Sequence, residues 1–536
     1  MENGTDLWEK YCGFFDNSFK EQLEYNNDRL QKHFARWKNT KMAADLVPNV
    51  KDFEEVPLTD YSDYPILHEF GEKVRKLSKN IPQKKNELLW DYYKRISGQV
   101  SPMLDDWLPG EYSYCGKTSG TTGQSKWFAY TKEFEQQLMM DSIAIVVIGG
   151  SEEWGTTKVE PGDKILNILA PPPYPAMITG RAWDDVFELM PSQKIMESTS
   201  NMLQKITLIA EMIKDGEKFD GFGGVASPLK LICDYLKNPD ELFKNYYQSL
   251  NFGALKVYLY LKYLKASLFK NEERKLKDLL PLKGVGIAGV DAKLYFNYLR
   301  DQFGFDPLNG YIISELGIVM YGRPQNKRYL VPTLRSCYFE FLDEKGEINK
   351  LTELQKGHTY ELVGTSFGSM LIRYKTGDIF RVVDIKDNGM PIFDCEGRKE
   401  NWLDFFGYFR VSERLMTEVV LETGLDGFEK WSAYKATNPR EKLRVLMENV
   451  WDCPPSEAAA RFFNALKKKS LYFNNYLKDF NINDPEDIIT VEYLEDGTFM
   501  RYIMSKKKEG VALGQIKPPK IISMDEHELV DKLRNI

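Results

Sequence analysis

Thr118-Ser119-Gly120-Thr121-Thr122-Gly123-Gln124-Ser125-Lys126 alternates small hydroxyl residues with glycine and closes on a lysine. Glycine lets backbone approach an anion closely, hydroxyls and backbone N–H groups supply donors, and lysine adds a point charge. The run therefore reads as a cradle for a nucleotide polyphosphate, with Thr118, Ser119, Gly120, Thr121, Thr122, Gly123 and Lys126 as its contacts. A Walker A loop fails on spacing. Gly116-Lys117-Thr118 would need glycine at position 111, where the chain has Glu111, and Gly110 is one residue out of register. A solvated loop has the same composition, so the rest of the chain must decide between them.

At 536 residues the chain exceeds the roughly 250–300 residues at which single cores stop growing, so two or more domains are expected. Hydrophobic residues at 43% and aromatics at 13% suit a folded globular protein. Basic residues (72) nearly balance acidic ones (79), and the net charge of -7 gives no pull towards nucleic acid. Met1-Glu2-Asn3-Gly4-Thr5-Asp6 has neither a basic nor an apolar leader region, and a cytoplasmic location is expected. The apolar segment from Ile143 to Gly150 is too short to span a bilayer and reads as core, so no membrane insertion is expected. Six scattered cysteines, with no CxxC pair, and four dispersed histidines suit reduced thiols and argue against structural zinc. Any metal is expected to travel with the nucleotide.

Along the chain, Leu7 to Trp107 mixes charged and aromatic residues at helical spacing, broken near Pro48, Pro57, Pro65 and Pro82. From Gly162, short apolar runs such as Ile165-Leu166-Asn167-Ile168-Leu169 and Gly284-Val285-Gly286-Ile287-Ala288-Gly289 alternate with helix-like stretches such as Met202 to Asp215, which predicts α/β layering. After Tyr329 the pattern changes. Tyr338-Phe339-Glu340-Phe341-Leu342, Thr359-Tyr360-Glu361-Leu362-Val363 and Phe380-Arg381-Val382-Val383 read as strands joined by turns, a β-rich subregion. Near Glu396-Gly397-Arg398-Lys399-Glu400, glycine among charges suits a hinge.

Four constellations follow the cradle. Gly286-Ile287-Ala288-Gly289-Val290-Asp291 fits either close backbone approach to a flat ring, with Gly289, Val290 and Asp291 at a nucleotide, or a tight strand-to-helix turn. Tyr311-Ile312-Ile313-Ser314-Glu315-Leu316-Gly317 offers an aromatic face for adenine, with Ser314 beside it and Glu315 as an oxygen ligand for Mg²⁺. Tyr374-Lys375-Thr376-Gly377-Asp378 places a carboxylate on a turn, suited to accept both ribose hydroxyls. Gly514-Gln515-Ile516-Lys517-Pro518-Pro519-Lys520 carries Lys517 on a proline-stiffened loop from which it could reach a phosphate. Tyr174, Trp183, Phe222, Gly223, Gly224 and Ser227 sit in segments suited to an apolar acyl cavity, although each aromatic is individually a good core residue.

In this order, the cradle, Tyr311 to Gly317, Tyr374 to Asp378, Gly397-Arg398 and Lys517 resemble the superfamily of adenylate-forming ligases, which includes acyl-CoA synthetases, luciferases and peptide-synthetase adenylation domains. The resemblance covers roughly residues 110 to 525. Within it, Tyr338 to Leu342, Tyr360 to Val363, Arg373 to Asp378 and Gln515 to Lys520 look most like the auxin-responsive acyl acid amido synthetases. The cradle, Ser-Gly-Thr-Thr-Gly-Gln-Ser-Lys, departs from the double-serine form usual in plant members, and the segment from Pro57 to Pro65 is similar to phenylacetate-CoA ligases.

The resemblance implies an α/β fold: a large adenylate-forming domain over 1–396, with α/β layers, a β-rich subdomain and a helical N-terminal region, and a small mobile α+β lid over 397–536. It implies ATP and Mg²⁺, with Lys517 and Glu315 catalytic, Glu315 also the metal ligand, Tyr311 on adenine, Asp378 on ribose, and Arg398 on ribose or at the hinge. A carboxylic acid would be adenylated and its acyl group passed to an amine, an amino acid. Coenzyme A is the alternative acceptor, with Lys506-Lys507-Lys508 a candidate for its phosphates, and an adenylate-binding protein without turnover is the third reading.

Overall fold

The computed structural model describes residues 4–118, 126–198, 202–237, 260, 275–288, 292–399, 402–405, 409–427, 429–436, 442–448, 450, 452–470, 473–474, 476–477, 482–508, 518–522 and 527–536. The chain divides into two units: 1–239, 269–376 and 381–394 form the first, and 240–268, 377–380 and 395–536 the second.

The first unit opens with the expected helices, Gly4–Cys12, Phe19–Trp37, Lys41–Leu46, Pro65–Asn80 and Leu89–Gly98. Pro65 begins one of them, where its missing N–H costs nothing and its fixed φ suits the first helical position. Ser18 and Glu21 form a reciprocal capping box at the start of Phe19–Trp37. That helix buries Leu30, Phe34 and Trp37 in the main core. It also buries Asn26, which donates to the carbonyls of Leu334 (2.5 Å) and Cys337 (2.8 Å) and ties the helix to the sheet.

A hairpin of β1 (Tyr112–Lys117) and β2 (Trp127–Thr131) follows, with Lys117 opposite Trp127. Thr131 ends β2 and caps the helix Lys132–Gly149, accepting the Phe134 N–H at 3.2 Å. Ile143–Gly149, expected as core, is the C-terminal half of this helix and is buried on every side.

The large sheet takes its shape from two kinds of sequence. Short apolar runs form β3 (Lys164–Leu166), β4 (Glu188–Met190), β5 (Gly221–Val225), β6 (Gly284–Ala288) and β7 (Leu308–Ile313). These pair parallel in the order β4-β3-β5-β6-β7. Parallel neighbours need crossovers, supplied by helices such as Ala176–Asp184, Met202–Lys214, Ala226–Lys237 and Ala292–Phe303. Beyond β7 the sheet turns antiparallel through β8 (Gly317–Arg323) and β9 (Asn326–Pro332). It continues with β10 (Cys337–Leu342), β11 (Ile348–Lys350), β12 (Thr359–Ser366), β13 (Tyr374–Ile385) and β14 (Pro391–Arg398). The full order is β11-β10-β12-β13-β14-β9-β8-β7-β6-β5-β3-β4 over 12 strands. The α/β layering and the β-rich stretch after Tyr329 are thus two ends of one sheet.

The second unit holds a short hairpin, β15 (Leu403–Phe405) with β16 (Phe409–Val411), and a 4-stranded sheet of order β19-β18-β17-β20. The sheet strands are β17 (Trp431–Ala436), β18 (Lys442–Met447), β19 (Ile489–Tyr493) and β20 (Ile521–Ile522). Successive side chains point to opposite faces. Ala433, Val445 and Met447 pack with Met416 and Phe462 of the helices Glu413–Thr423 and Pro455–Lys469. Tyr434, Leu446 and Ile522 pack instead with Phe499, Tyr502 and Leu533 of Thr498–Lys508 and His527–Asn535.

One buried group couples the first unit's fold to pH. His33 accepts the Gly368 N–H on Nδ1 at 3.1 Å, and Gly368 O accepts the Thr131 hydroxyl at 2.6 Å. Burial, aided by Arg36 and Arg29, pushes the His33 pKa down from 6.5 to about 3. Between those values the unfolded chain takes up a proton that the fold refuses, so acid removes stability through this window. The slope is about 1.4 kcal/mol per pH unit. From pH 7 to pH 5 the wild-type chain should therefore lose about 2 kcal/mol more unfolding free energy than His33→Asn, measured by denaturant titration. Parallel pH profiles for the two proteins would exclude His33 as the cause.

Candidate active site

The neck of the cradle is built by the hairpin. The Thr118 N–H donates to Lys126 O at 2.9 Å, and the Lys126 N–H donates to the Thr118 hydroxyl at 3.0 Å. Thr118 thus binds Lys126 with both backbone and side chain. Ser119, Gly120, Thr121, Thr122 and Gly123 themselves lie outside the described residues.

Two tyrosines fix where this neck stands. Tyr61 brackets Trp127, its phenol oxygen accepting the Trp127 N–H at 2.9 Å while its hydroxyl donates to Trp127 O at 3.1 Å. Tyr130, fully buried on β2, donates its hydroxyl to Ser314 O at 2.7 Å. That bond joins the hairpin to the turn after β7, which carries Ser314 and Glu315, while Tyr311 lies on β7 itself. Both Tyr311 and Glu315 are buried. Gly317, at φ +82, reverses the chain there into β8. Burial, and then the charge of Glu315, raises the ionisation of the Tyr130 phenol far above its ordinary value. Tyr61 is raised by burial too, with Glu315 adding to it. One carboxylate therefore acts on both phenols that hold the hairpin.

The segment from Pro57 to Pro65 closes the other side. Thr59 forms a parallel bridge to Tyr374, donating its N–H to Arg373 O (3.0 Å) and accepting the Lys375 N–H (2.8 Å). Lys126 Nζ lies 5.4 Å from the Tyr61 ring centre, and Lys375 Nζ 3.9 Å from Asp60. Hydrogen bonds from Ser62 hold the Asp60 carboxyl below its usual range, with Lys375 and Lys126 contributing. The N-terminal segment thus packs on both the β1–β2 hairpin and β13, which its sequence alone did not indicate.

Asp378 and Arg398 also come together. The Arg398 Nε stands 3.4 Å from the Asp378 carboxylate, which is buried, and both belong to the second unit. Gly397, at φ +98, precedes Arg398, and Glu396 is buried against Arg414. Of the acyl-cavity candidates, Tyr174, Trp183 and Phe222 are buried. The Trp183 indole donates to Ser142 O at 2.8 Å and lies where a Cβ on Gly223 would meet it at 2.4 Å. Lys517, Gly289, Val290, Asp291 and the Ser227 side chain lie outside the described residues.

Residues 330–398 match the GH3 family central domain. The sheet around them is that of a solved acyl acid amido synthetase, AtGH3.15 in complex with 2,4-DB, at TM-score 0.63 and 16% identity, covering 100% of this chain and 97% of that one. The chain has the acyl acid amido synthetase fold. It is shared with 2-hydroxyisobutyryl-CoA ligase in its postadenylation state with 2-HIB-AMP, at TM-score 0.54 and 12% identity, over 96% of this chain and 93% of that one. In sequence, 205 residues are 25% identical to the indole-3-acetic acid-amido synthetase GH3.3 of Arabidopsis thaliana, 35% of this chain and 33% of that protein. The match spans about a third of that relative's length. The expected mixed α/β fold is the observed one. Among the described residues no helix is long and apolar enough to cross a membrane.

Proposed function

We propose that this chain is an ATP-dependent, AMP-forming ligase that adenylates a carboxylic acid and transfers the acyl group to the amine of an amino acid. The observation that supports the reading is the Tyr130 to Ser314 hydrogen bond, which joins the hairpin flanking the hydroxyl-rich run to the turn bearing Glu315, at the end of the strand that carries Tyr311. The shared fold supports it, since its solved relatives are an acyl acid amido synthetase and a CoA ligase holding an acyl adenylate.

A carboxylate is a poor electrophile at neutral pH, and activation supplies the leaving group. One carboxylate oxygen forms a bond to the α-phosphorus of ATP, the bond to the bridging oxygen of the β-phosphate breaks, and pyrophosphate leaves with that electron pair. The amine then displaces AMP from the acyl carbon and gives up its proton. The cradle and Lys126 would hold the triphosphate, Tyr311 the adenine, and Asp378 the ribose hydroxyls, with Arg398 at its side. The Glu315 carboxylate would offer Mg²⁺ the oxygen ligand that this hard cation takes. Bound there, Mg²⁺ would neutralise charge developing on the phosphates.

Lys517 is assigned the charge that meets the α-phosphate in the transition state. Its replacement by alanine should lower adenylation by about a hundredfold, as loss of one preorganised donor does elsewhere. Pyrophosphate exchange into ATP measures this, and near-normal exchange would return Lys517 to a tail loop. The 397–536 lid, its hinge at Gly397 and a cytoplasmic location belong to the same proposal. Coenzyme A is the second acceptor, favoured by the cradle's departure from the plant form and by the CoA-ligase neighbour. Product analysis with an amino acid panel against coenzyme A decides between them. An N-acyl amino acid with AMP supports the proposal, and an acyl thioester replaces it with the CoA reading.

A further inference from the structure

Lys117, the last residue of β1, is used by none of these roles. Its N–H donates to Pro173 O at 3.2 Å, and its ammonium lies 5.3 Å from the Tyr174 ring centre and 6.0 Å from that of Trp127. Among the described residues no carboxylate pairs with it, and the sequence from Ser119 to Ser125 contains no acidic residue. A half-buried ammonium against aromatic faces is incompletely compensated by them, because a ring quadrupole replaces part of the lost hydration and none of the charge. Burial accordingly pulls the Lys117 pKa below its ordinary value.

We propose that the Lys117 ammonium, clasped by Trp127 and Tyr174 at the neck of the cradle, binds the carboxylate of the acid substrate; naming that anion as the substrate rests on the ligase function above. The two neck lysines differ in a way that separates their ligands. Lys126 stands in polar company, near Asp60 and Lys375, and belongs to the polyphosphate loop. Around Lys117 stand the Trp127 indole, the Tyr174 phenol ring and the Pro173 carbonyl. A triphosphate needs several donors at once, whereas a monocarboxylate on an apolar body needs one charge at the edge of an apolar wall. Tyr174 supplies part of that wall, being buried and in contact with the ammonium through its ring face.

The test is equilibrium binding to the full chain of phenylacetate, indole-3-acetate and hexanoate, each beside its primary amide, with Lys117→Met and Lys117→Arg as variants. A charge-assisted contact predicts that the wild-type protein prefers at least one acid over its amide by roughly tenfold to a hundredfold. Lys117→Met should lose that preference while keeping its unfolding midpoint and its affinity for ATP, and Lys117→Arg should retain most of it. A preference that survives in Lys117→Met, no preference in the wild type, or a loss of ATP affinity in its place would overturn the proposal. Absence of pyrophosphate exchange by wild-type protein with an acid it binds would count against the ligase reading alone.

Discussion

Glu315→Gln is expected to lower acid-dependent pyrophosphate exchange by about a hundredfold and to raise the Mg²⁺ concentration needed for half-maximal rate. The side chain is buried at the turn after β7, and glutamine keeps its shape while removing its charge. The turn itself should survive, since the Tyr130 hydroxyl bonds to the backbone of Ser314 and not to the carboxylate. Loss of the charge also relieves Tyr61 and Tyr130, whose ionisation it raises in addition to burial, so their phenols should titrate lower in the variant. Ultraviolet difference titration of tyrosine gives a readout independent of turnover. Exchange within a few-fold of wild type at every Mg²⁺ concentration would remove Glu315 from the metal site.

Arg373→Met should destabilise the first unit by about 3–5 kcal/mol, the usual cost of breaking a buried ion pair from one side. Arg373 is buried at φ +45, and it forks onto Glu340 through Nε at 3.0 Å and Nη2 at 2.7 Å. Its Nη1 donates to Glu54 O at 3.0 Å and to Val56 O at 2.6 Å. One side chain therefore secures both the β10 carboxylate and the segment leading to Asp60 and Tyr61. Burial already raises the Glu340 pKa despite Arg373 beside it, so a lone Glu340 would be strongly penalised. The double variant Arg373→Met, Glu340→Gln should recover part of the loss, with the two orphaned carbonyls accounting for the remainder. Equal denaturant midpoints for wild type and Arg373→Met would refute this account of the anchor.

Much of the fold was legible because local rules and tertiary demands agree. Alternation in Tyr338-Phe339-Glu340-Phe341-Leu342 is alternation of faces in β10, where Phe341 stacks on Phe393 at 5.1 Å. Met202 to Asp215 carries helical spacing and forms the helix Met202–Lys214. Ile165 to Leu169 is apolar but for Asn167, and the strand ends just before it, at Leu166. There the Asn167 side chain turns the chain, accepting the Leu169 N–H at 3.4 Å and donating to Pro191 O at 3.1 Å.

The site was legible only in its parts. The cradle and the Tyr311 to Gly317 stretch each carry a local signature, but the bond that ties the β1–β2 hairpin to that stretch links residues 184 apart in sequence, from an ordinary strand tyrosine. Tyr61 and Thr59 gave no signal for the same reason: their partners are Trp127, 66 residues on, and Ile372, 313 residues on. Lys117 was visible as the lysine of a Walker-like triplet in the wrong register, and only its aromatic surroundings distinguish it from a surface charge.

The central claim is acid activation by ATP. Exchange of labelled pyrophosphate into ATP by the wild-type chain, with Mg²⁺ and an aryl, indolyl and fatty-acid panel, tests it most directly. The account predicts exchange that depends on one class of acid and vanishes when the acid is omitted. Nucleotide binding without exchange for any acid would contradict it, leaving an adenylate-binding protein built on a ligase fold.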